Sequence, residues 1–122
     1  MAPVLQHTRP EEITRDFLYE VDKHLQDIVT GKAIEMYEIE TFADLLHIHP
    51  THVSNTIKQY TGKSPCHFYQ EKIMEVAKQL LTTTDQSIRD IAFLMTYDPS
   101  NFSKVFKRFV GVTPKQYRTA NT

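Results

Sequence analysis

Apolar residues recur along this chain with a helical period, and no stretch alternates as a strand would. Ile13, Phe17, Val21, Leu25 and Ile28 follow one another at steps of four or three, the spacing that lines one face of a helix. Thr8-Arg9-Pro10-Glu11 reads as the start of that helix, with Thr8 as cap, Pro10 in the first turn and Glu11 at the capping-box position; Gly31 reads as its stop. Nearer the other end, Ile88, Ile91, Ala92 and Met95 form a short apolar face that halts at Thr96-Tyr97-Asp98-Pro99. A second stripe follows at once in Phe102, Val105, Phe106 and Phe109, about 100° wide. Ser87 and Asp98 are the expected caps of these two helices. Pro99 falls in a first turn, where a missing N–H costs nothing. Ala92 is small enough to let the two helices cross closely. Ser100, Asn101, Lys104, Lys107 and Arg108 take the outer side of the second one. A short helix, a tight turn and a longer displayed helix make the pattern of a helix-turn-helix.

That pattern occurs twice. Residues 39–65, IETFADLLHIHPTHVSNTIKQYTGKSP, lie over residues 88–114, IRDIAFLMTYDPSNFSKVFKRFVGVTP, at an offset of 49 without a gap. Eight of the 27 positions are identical: Ile39/Ile88, Ala43/Ala92, Leu45/Leu94, Pro50/Pro99, Ser54/Ser103, Lys58/Lys107, Gly62/Gly111 and Pro65/Pro114. The matches include the turn and cap residues, which points to one device used twice. Between the copies, Ser64-Pro65 opens another helix with Tyr69, Ile73, Val76, Ala77 and Leu80 at helical spacing, ended by Thr82-Thr83-Thr84-Asp85. Its length of about 17 residues gives a rod of roughly 25 Å. The expected fold is all-α, about seven helices, with two helix-turn-helix subdomains joined by a linker helix. The partition is a single unit over 1–122: an N-terminal helix at 8–31, the first helix-turn-helix at 37–62, the linker at 64–82, the second at 87–110, and a C-terminal helix or tail at 111–122.

Composition changes this picture in one respect. The net charge of −1 over 122 residues does not suit a nucleic-acid binder, which is ordinarily basic. Yet residues 1–49 carry 4 Lys and Arg against 10 Asp and Glu, and residues 50–122 carry 10 against 5. The averages cancel a cationic half against an acidic one. One cysteine, Cys66, excludes an internal disulfide and fits a reducing cytoplasm. No apolar run nears 18 residues, so neither a membrane span nor a signal leader is indicated.

The stretch from Ser87 to Arg118 resembles the DNA-binding domain of the AraC/XylS family of bacterial transcription regulators. The matching residues are Ile91-Ala92, Tyr97, Ser100, Phe102-Ser103, Phe106-Lys107, Gly111, Thr113-Pro114 and Tyr117-Arg118. The linker KIMEVAKQLL is similar as well, and the resemblance covers roughly residues 37–118. There are two departures. The family usually has Gly where this chain has Thr96, and a turn with φ > 0 strains a β-branched residue. Basic residues common on the family's first reading helix are thin here.

The resemblance implies one chain that places two recognition helices in successive major-groove segments, about 34 Å apart for one turn of DNA. A closer spacing bends the duplex, at about 1–6 kcal/mol. Base readout is expected from Thr51, His52 and Asn55 in the first copy and from Ser100, Asn101 and Lys104 in the second. Asn101 suits adenine, Lys104 guanine and Thr51 a thymine methyl. Phosphate contacts are expected from Lys58, Lys63, Lys107 and Arg108, which position without specifying. The implied partners are double-stranded DNA and RNA polymerase, with activation the expected outcome. No membrane or cofactor is expected; nor is a small-molecule ligand in this chain, since the about 36 residues before the family-like part are too few for the separate effector-binding domain that many family members carry.

Other readings carry less. The stripe from Phe102 to Phe109 is core. His47, His49 and His52 are not at helical ligand spacing and have no Cys or acidic partner to complete a tetrahedral set, so no metal site is expected. No nucleophile elbow or phosphate loop frames the Ser, His and Asp residues, so an enzyme is not expected either. The rival is a helical protein-interaction module that keeps the fold with weak or no DNA binding. The acidic first helix and near-neutral total charge support it.

Overall fold

A computed structural model of the chain describes residues 9–122, and among them there are seven helices and no strand. They are α1 (Pro10–Thr30), α2 (Ile39–Leu46), α3 (Pro50–Thr61), α4 (Pro65–Thr83), α5 (Ile88–Leu94), α6 (Pro99–Val110) and α7 (Pro114–Ala120). The fold is all-α, as the periodicity requires. Two compact units form, divided inside α4 between Gln70 and Glu71.

In the first unit α1 packs on α2 and α3. Its predicted stripe, Ile13, Phe17, Val21, Leu25 and Ile28, is buried throughout. Thr8 lies outside the described residues. Arg9 occupies the N-cap without a side-chain bond, and Pro10 is the first helical residue. Gly31 ends the helix at φ 84°, a left-handed conformation open to a residue without Cβ. Phe42 of α2 stands edge-on to Phe17 at 5.7 Å and to Tyr69, in the first turns of α4, at 5.2 Å. Such edge contacts are the favoured aromatic geometry. Val53 and Ile57 of α3 close the core with no exposure.

In the second unit α6 packs on α5 and α7. Phe102 and Phe106 are fully buried, and Phe106 meets the Tyr117 ring at 5.7 Å. Thr113 and Gln116 form a reciprocal capping box that starts α7. Arg118 then ties α7 to the end of α4: its Nε donates to the Leu81 carbonyl at 2.9 Å and its Nη2 to that of Thr84 at 3.3 Å. These carbonyls lie at a helix end, where no amide of the helix reaches them. Tyr117-Arg118, part of the family-like motif, is thus structural.

Five positions differ from the sequence reading. The buried face of α4 takes Met74 and Leu81, and Val76 is only half-buried. Ile73, Met74, Ala77, Leu80 and Leu81 share one arc of the helix, which turns Val76 to its edge. Ile88 and Phe109, placed in apolar stripes, are also half-buried. Each stands in the first or last turn of its helix, where burial fades.

Candidate nucleic-acid interface

The two helix-turn-helix copies share a register in space as well as in sequence. α3 and α6 start at Pro50 and Pro99 and end at Thr61 and Val110, an offset of 49 at both ends. The turns match bond for bond. The Ile48 amide donates to the Ala43 carbonyl at 3.1 Å and the Tyr97 amide to that of Ala92 at 2.9 Å; the His47 and Thr96 amides donate to Asp44 and Phe93, each at 3.0 Å. This paired closure is the Schellman motif, which needs a left-handed residue. His47 at φ 60° and Thr96 at φ 61° supply it. Neither is glycine, so each turn holds a conformation that L-residues resist. Thr96 thus takes the φ > 0 conformation that strains a β-branched residue.

Both displayed helices begin on a capped Pro. In α6 one Asp98 oxygen accepts from the amides of Ser100 at 3.0 Å and Asn101 at 3.2 Å. In α3 the cap is His49, whose Nδ1 accepts from the Thr51 amide at 3.1 Å. Both helices end on a left-handed glycine, Gly62 and Gly111. These devices set where each helix starts and stops, and with that which side chains face outward.

All ten predicted contact residues lie at the surface. Thr51, His52, Asn55, Lys58 and Lys63 are exposed in the first unit; Ser100, Asn101, Lys104, Lys107 and Arg108 are exposed in the second. The inward residues of the same helices, Val53 and Ile57 or Phe102 and Phe106, have no exposure. Among the described residues no carboxylate pairs with Lys58, Lys63, Lys104, Lys107 or Arg108, so their charge is available to a partner. The Arg108 guanidinium lies 5.5 Å from the Phe109 ring, a contact that leaves its donors open.

In the first unit, Thr51, Asn55 and Lys58 border a cleft of about 390 Å3. Glu40 at the start of α2 and Ser64 and Cys66 at the start of α4 complete its rim. The sequence reading missed those three. Ser64-Pro65 marks a helix start in the sequence, but nothing local in the sequence places that start, or Glu40, beside α3. The Ser64 hydroxyl accepts from the His67 amide at 3.2 Å, and Cys66 is a free, exposed thiol.

His24 was not singled out in the sequence, yet it is the buried polar group that organises the first unit. Its Nε2 accepts from the Tyr37 amide at 3.0 Å, and its ring stacks on Tyr37 at 3.8 Å between centroids. Tyr69 donates its hydroxyl to the Tyr37 carbonyl at 2.8 Å. Burial lowers the His24 pKa below the usual imidazole value, partly offset by the nearby Asp27 carboxylate. Among the described residues no group of three His, Cys, Asp or Glu is placed to hold a metal, and no helix is long and apolar enough to cross a membrane.

A family profile described as a helix-turn-helix domain matches residues 42–120, more than half of the chain. The histidine kinase P4 of Formosa agariphila is 31% identical over 116 residues, covering 93% of this chain and 8% of that protein. The HTH-type transcriptional activator RhaS of Enterobacter sp. (strain 638) is 32% identical over 80 residues, 65% of this chain and 29% of RhaS. The chain thus spans less than a third of either relative. Among solved structures, the C-terminal domain of AraT, a response regulator from Geobacillus stearothermophilus, matches with a TM-score of 0.72 and 33% identity, covering 88% of this chain and 84% of that one.

Proposed function

We propose, because this chain belongs to the AraC/XylS family of bacterial transcription regulators, that it is a sequence-specific unit for double-stranded DNA. The observation that carries the reading is the twofold display in one register: two capped helices, each apolar within and polar or cationic without. A protruding helix of this width fits the major groove, where each base pair shows its own donor and acceptor pattern. Thr51, His52, Asn55, Ser100, Asn101 and Lys104 are assigned to base edges; Lys58, Lys63, Lys107 and Arg108 are assigned to phosphates. We extend the reading to a cytoplasmic regulator that activates transcription in contact with RNA polymerase, a step supported by the likeness to the activator RhaS.

The test is selection of bound duplexes from a random pool, followed by footprinting. Two unequal protected blocks about ten base pairs apart are expected. A specific observation favours the rival reading as a protein-interaction module: the first 70 residues carry 6 Lys and Arg against 10 Asp and Glu. Retention on heparin or random DNA at low salt, released as salt rises, separates the two. No retention would leave the interaction module standing.

A further inference from the structure

We infer that Arg89 is a further phosphate contact of the second unit, and that Glu40, at the same place in the first, holds phosphate off; this rests on the DNA-binding reading. In helix-turn-helix docking the first helix crosses the DNA backbone while the second enters the groove. The first turns of α2 and α5 therefore meet the backbone beside their recognition helices. In the first unit that position is visible: Glu40 lines the same cleft as Thr51, Asn55 and Lys58. Arg89 is its register partner at offset 49. α2 and α5 start in register at Ile39 and Ile88, α3 and α6 agree at both ends, and the turn bonds correspond, although α5 stops one residue short of its partner. By that correspondence Arg89 takes the place beside α6 that Glu40 takes beside α3.

Helix electrostatics separate a structural role from a functional one. The N-terminus of a helix carries partial positive charge, which favours a carboxylate and opposes a cation. Glu40 in the first turn of α2 is thus good for its helix, and bad for a phosphate. Arg89 in the first turn of α5 is the reverse. It is exposed, and no carboxylate among the described residues pairs with it. Its guanidinium carbon lies 5.4 Å from the centre of the half-exposed Phe93 ring. That contact restrains the side chain while leaving its N–H groups open. A cation placed against its own helix, restrained and unneutralised, is explained by an anion that arrives from outside.

The experiment is binding of a fluorescein-labelled random-sequence duplex, titrated between 50 and 200 mM salt, with wild type, Arg89→Ala and Glu40→Arg. Removing one phosphate contact lowers the slope of log affinity on log salt by about 0.9. Wild type should then lose about 3.5-fold more affinity than Arg89→Ala across that four-fold rise in salt. Glu40→Arg should steepen the slope by a similar amount. Thermal melts guard against misfolding: Arg89→Ala should melt at or above the wild-type temperature, because it removes a cation from a helix N-terminus. Weaker binding with undiminished stability supports the assignment. A wild-type slope in Arg89→Ala overturns the Arg89 contact, and an unchanged slope in Glu40→Arg overturns the repulsion. Absence of any salt-dependent binding by wild type would instead sink the DNA-binding reading, and this inference with it.

Discussion

In the first unit the recognition helix rests on two aliphatic residues, Val53 and Ile57, and the aromatic bulk comes from Phe17 on α1 and Phe42 on α2. In the second, α6 brings its own bulk in Phe102 and Phe106, with Tyr117 of α7 against it. The cap is a histidine in one and an aspartate in the other. The charges diverge as well: residues 1–70 hold 6 − 10 = −4, and residues 71–122 hold 8 − 5 = +3. What the copies keep is the frame: proline starts, glycine ends and a left-handed residue in the turn. The frame decides which side chains are displayed. Core filling and surface charge then vary within it, so the same frame carries a net acidic unit and a net basic one.

The largest expected effects test the cores. Phe106→Ala should destabilise the chain by about 3–5 kcal/mol, since it removes a buried ring and opens a cavity. Its register partner Ile57→Ala should fall in the lower part of about 2–5 kcal/mol, having no aromatic edge contact to lose. Urea unfolding measures both. A larger loss at Ile57 would mean that the first unit, not the second, depends on its recognition helix for its core.

The next tier concerns readout. Asn101→Ala or Lys104→Ala should weaken binding to the selected site by about 1–3 kcal/mol and relax preference at one base. Arg108→Ala should weaken specific and random duplexes alike and reduce the salt slope by about one unit. Competition binding on both duplexes distinguishes these outcomes. Equal losses for all three variants on both would mean that readout and anchoring had been exchanged.

Much of this was legible because helical periodicity and punctuation are local. Pro50, Pro99, Gly62 and Gly111 mark helix ends whatever surrounds them, and the repeat fixes which residues correspond. Residues whose role comes from distant partners were not legible. His24 gives no sign in the sequence that its ring accepts from the Tyr37 amide 13 residues on. Arg118 looks like a surface cation in a basic segment, yet it binds carbonyls 37 and 34 residues earlier. Met74 displaced Val76 because the width of a buried arc depends on what packs there. Glu40 at the cleft needed the first helix to be seen beside the second.

Histidine supplies a sharper contrast between the units, since all six lie in the first 70 residues. His24 must be neutral at Nε2 to accept from Tyr37, and burial lowers its pKa despite Asp27. The Glu20 and Lys23 side chains line the same small groove. Above the usual imidazole value of about 6.5 both folded and unfolded chains are neutral at this residue. As pH falls below that value the unfolded chain takes up the proton first, so stability declines. The decline ends once pH has passed the lowered folded value. His24→Gln should flatten this acid dependence in thermal melts between pH 7.5 and 5.5, at a baseline loss of about 0.5–1.5 kcal/mol from the altered hydrogen bond. An unchanged acid slope would remove His24 from the account.

The smallest effect bears on the shared frame itself. Thr96 and His47 hold the same left-handed turn, but a β-branched residue is strained there more than histidine, which is enriched in that region. The left-handed conformation costs an L-residue about 1–2 kcal/mol. Glycine would relieve that while adding about 0.5–1 kcal/mol of unfolded-chain entropy. It would also lose the Thr96 hydroxyl bond to the Met95 carbonyl at 2.6 Å. Thr96→Gly should therefore gain about 0.5 kcal/mol and His47→Gly close to nothing, read as the difference in melting temperature between the two variants. If Thr96→Gly instead loses stability, its hydroxyl contributes more than the strain costs, and the second turn differs from the first in energy although the two agree in geometry.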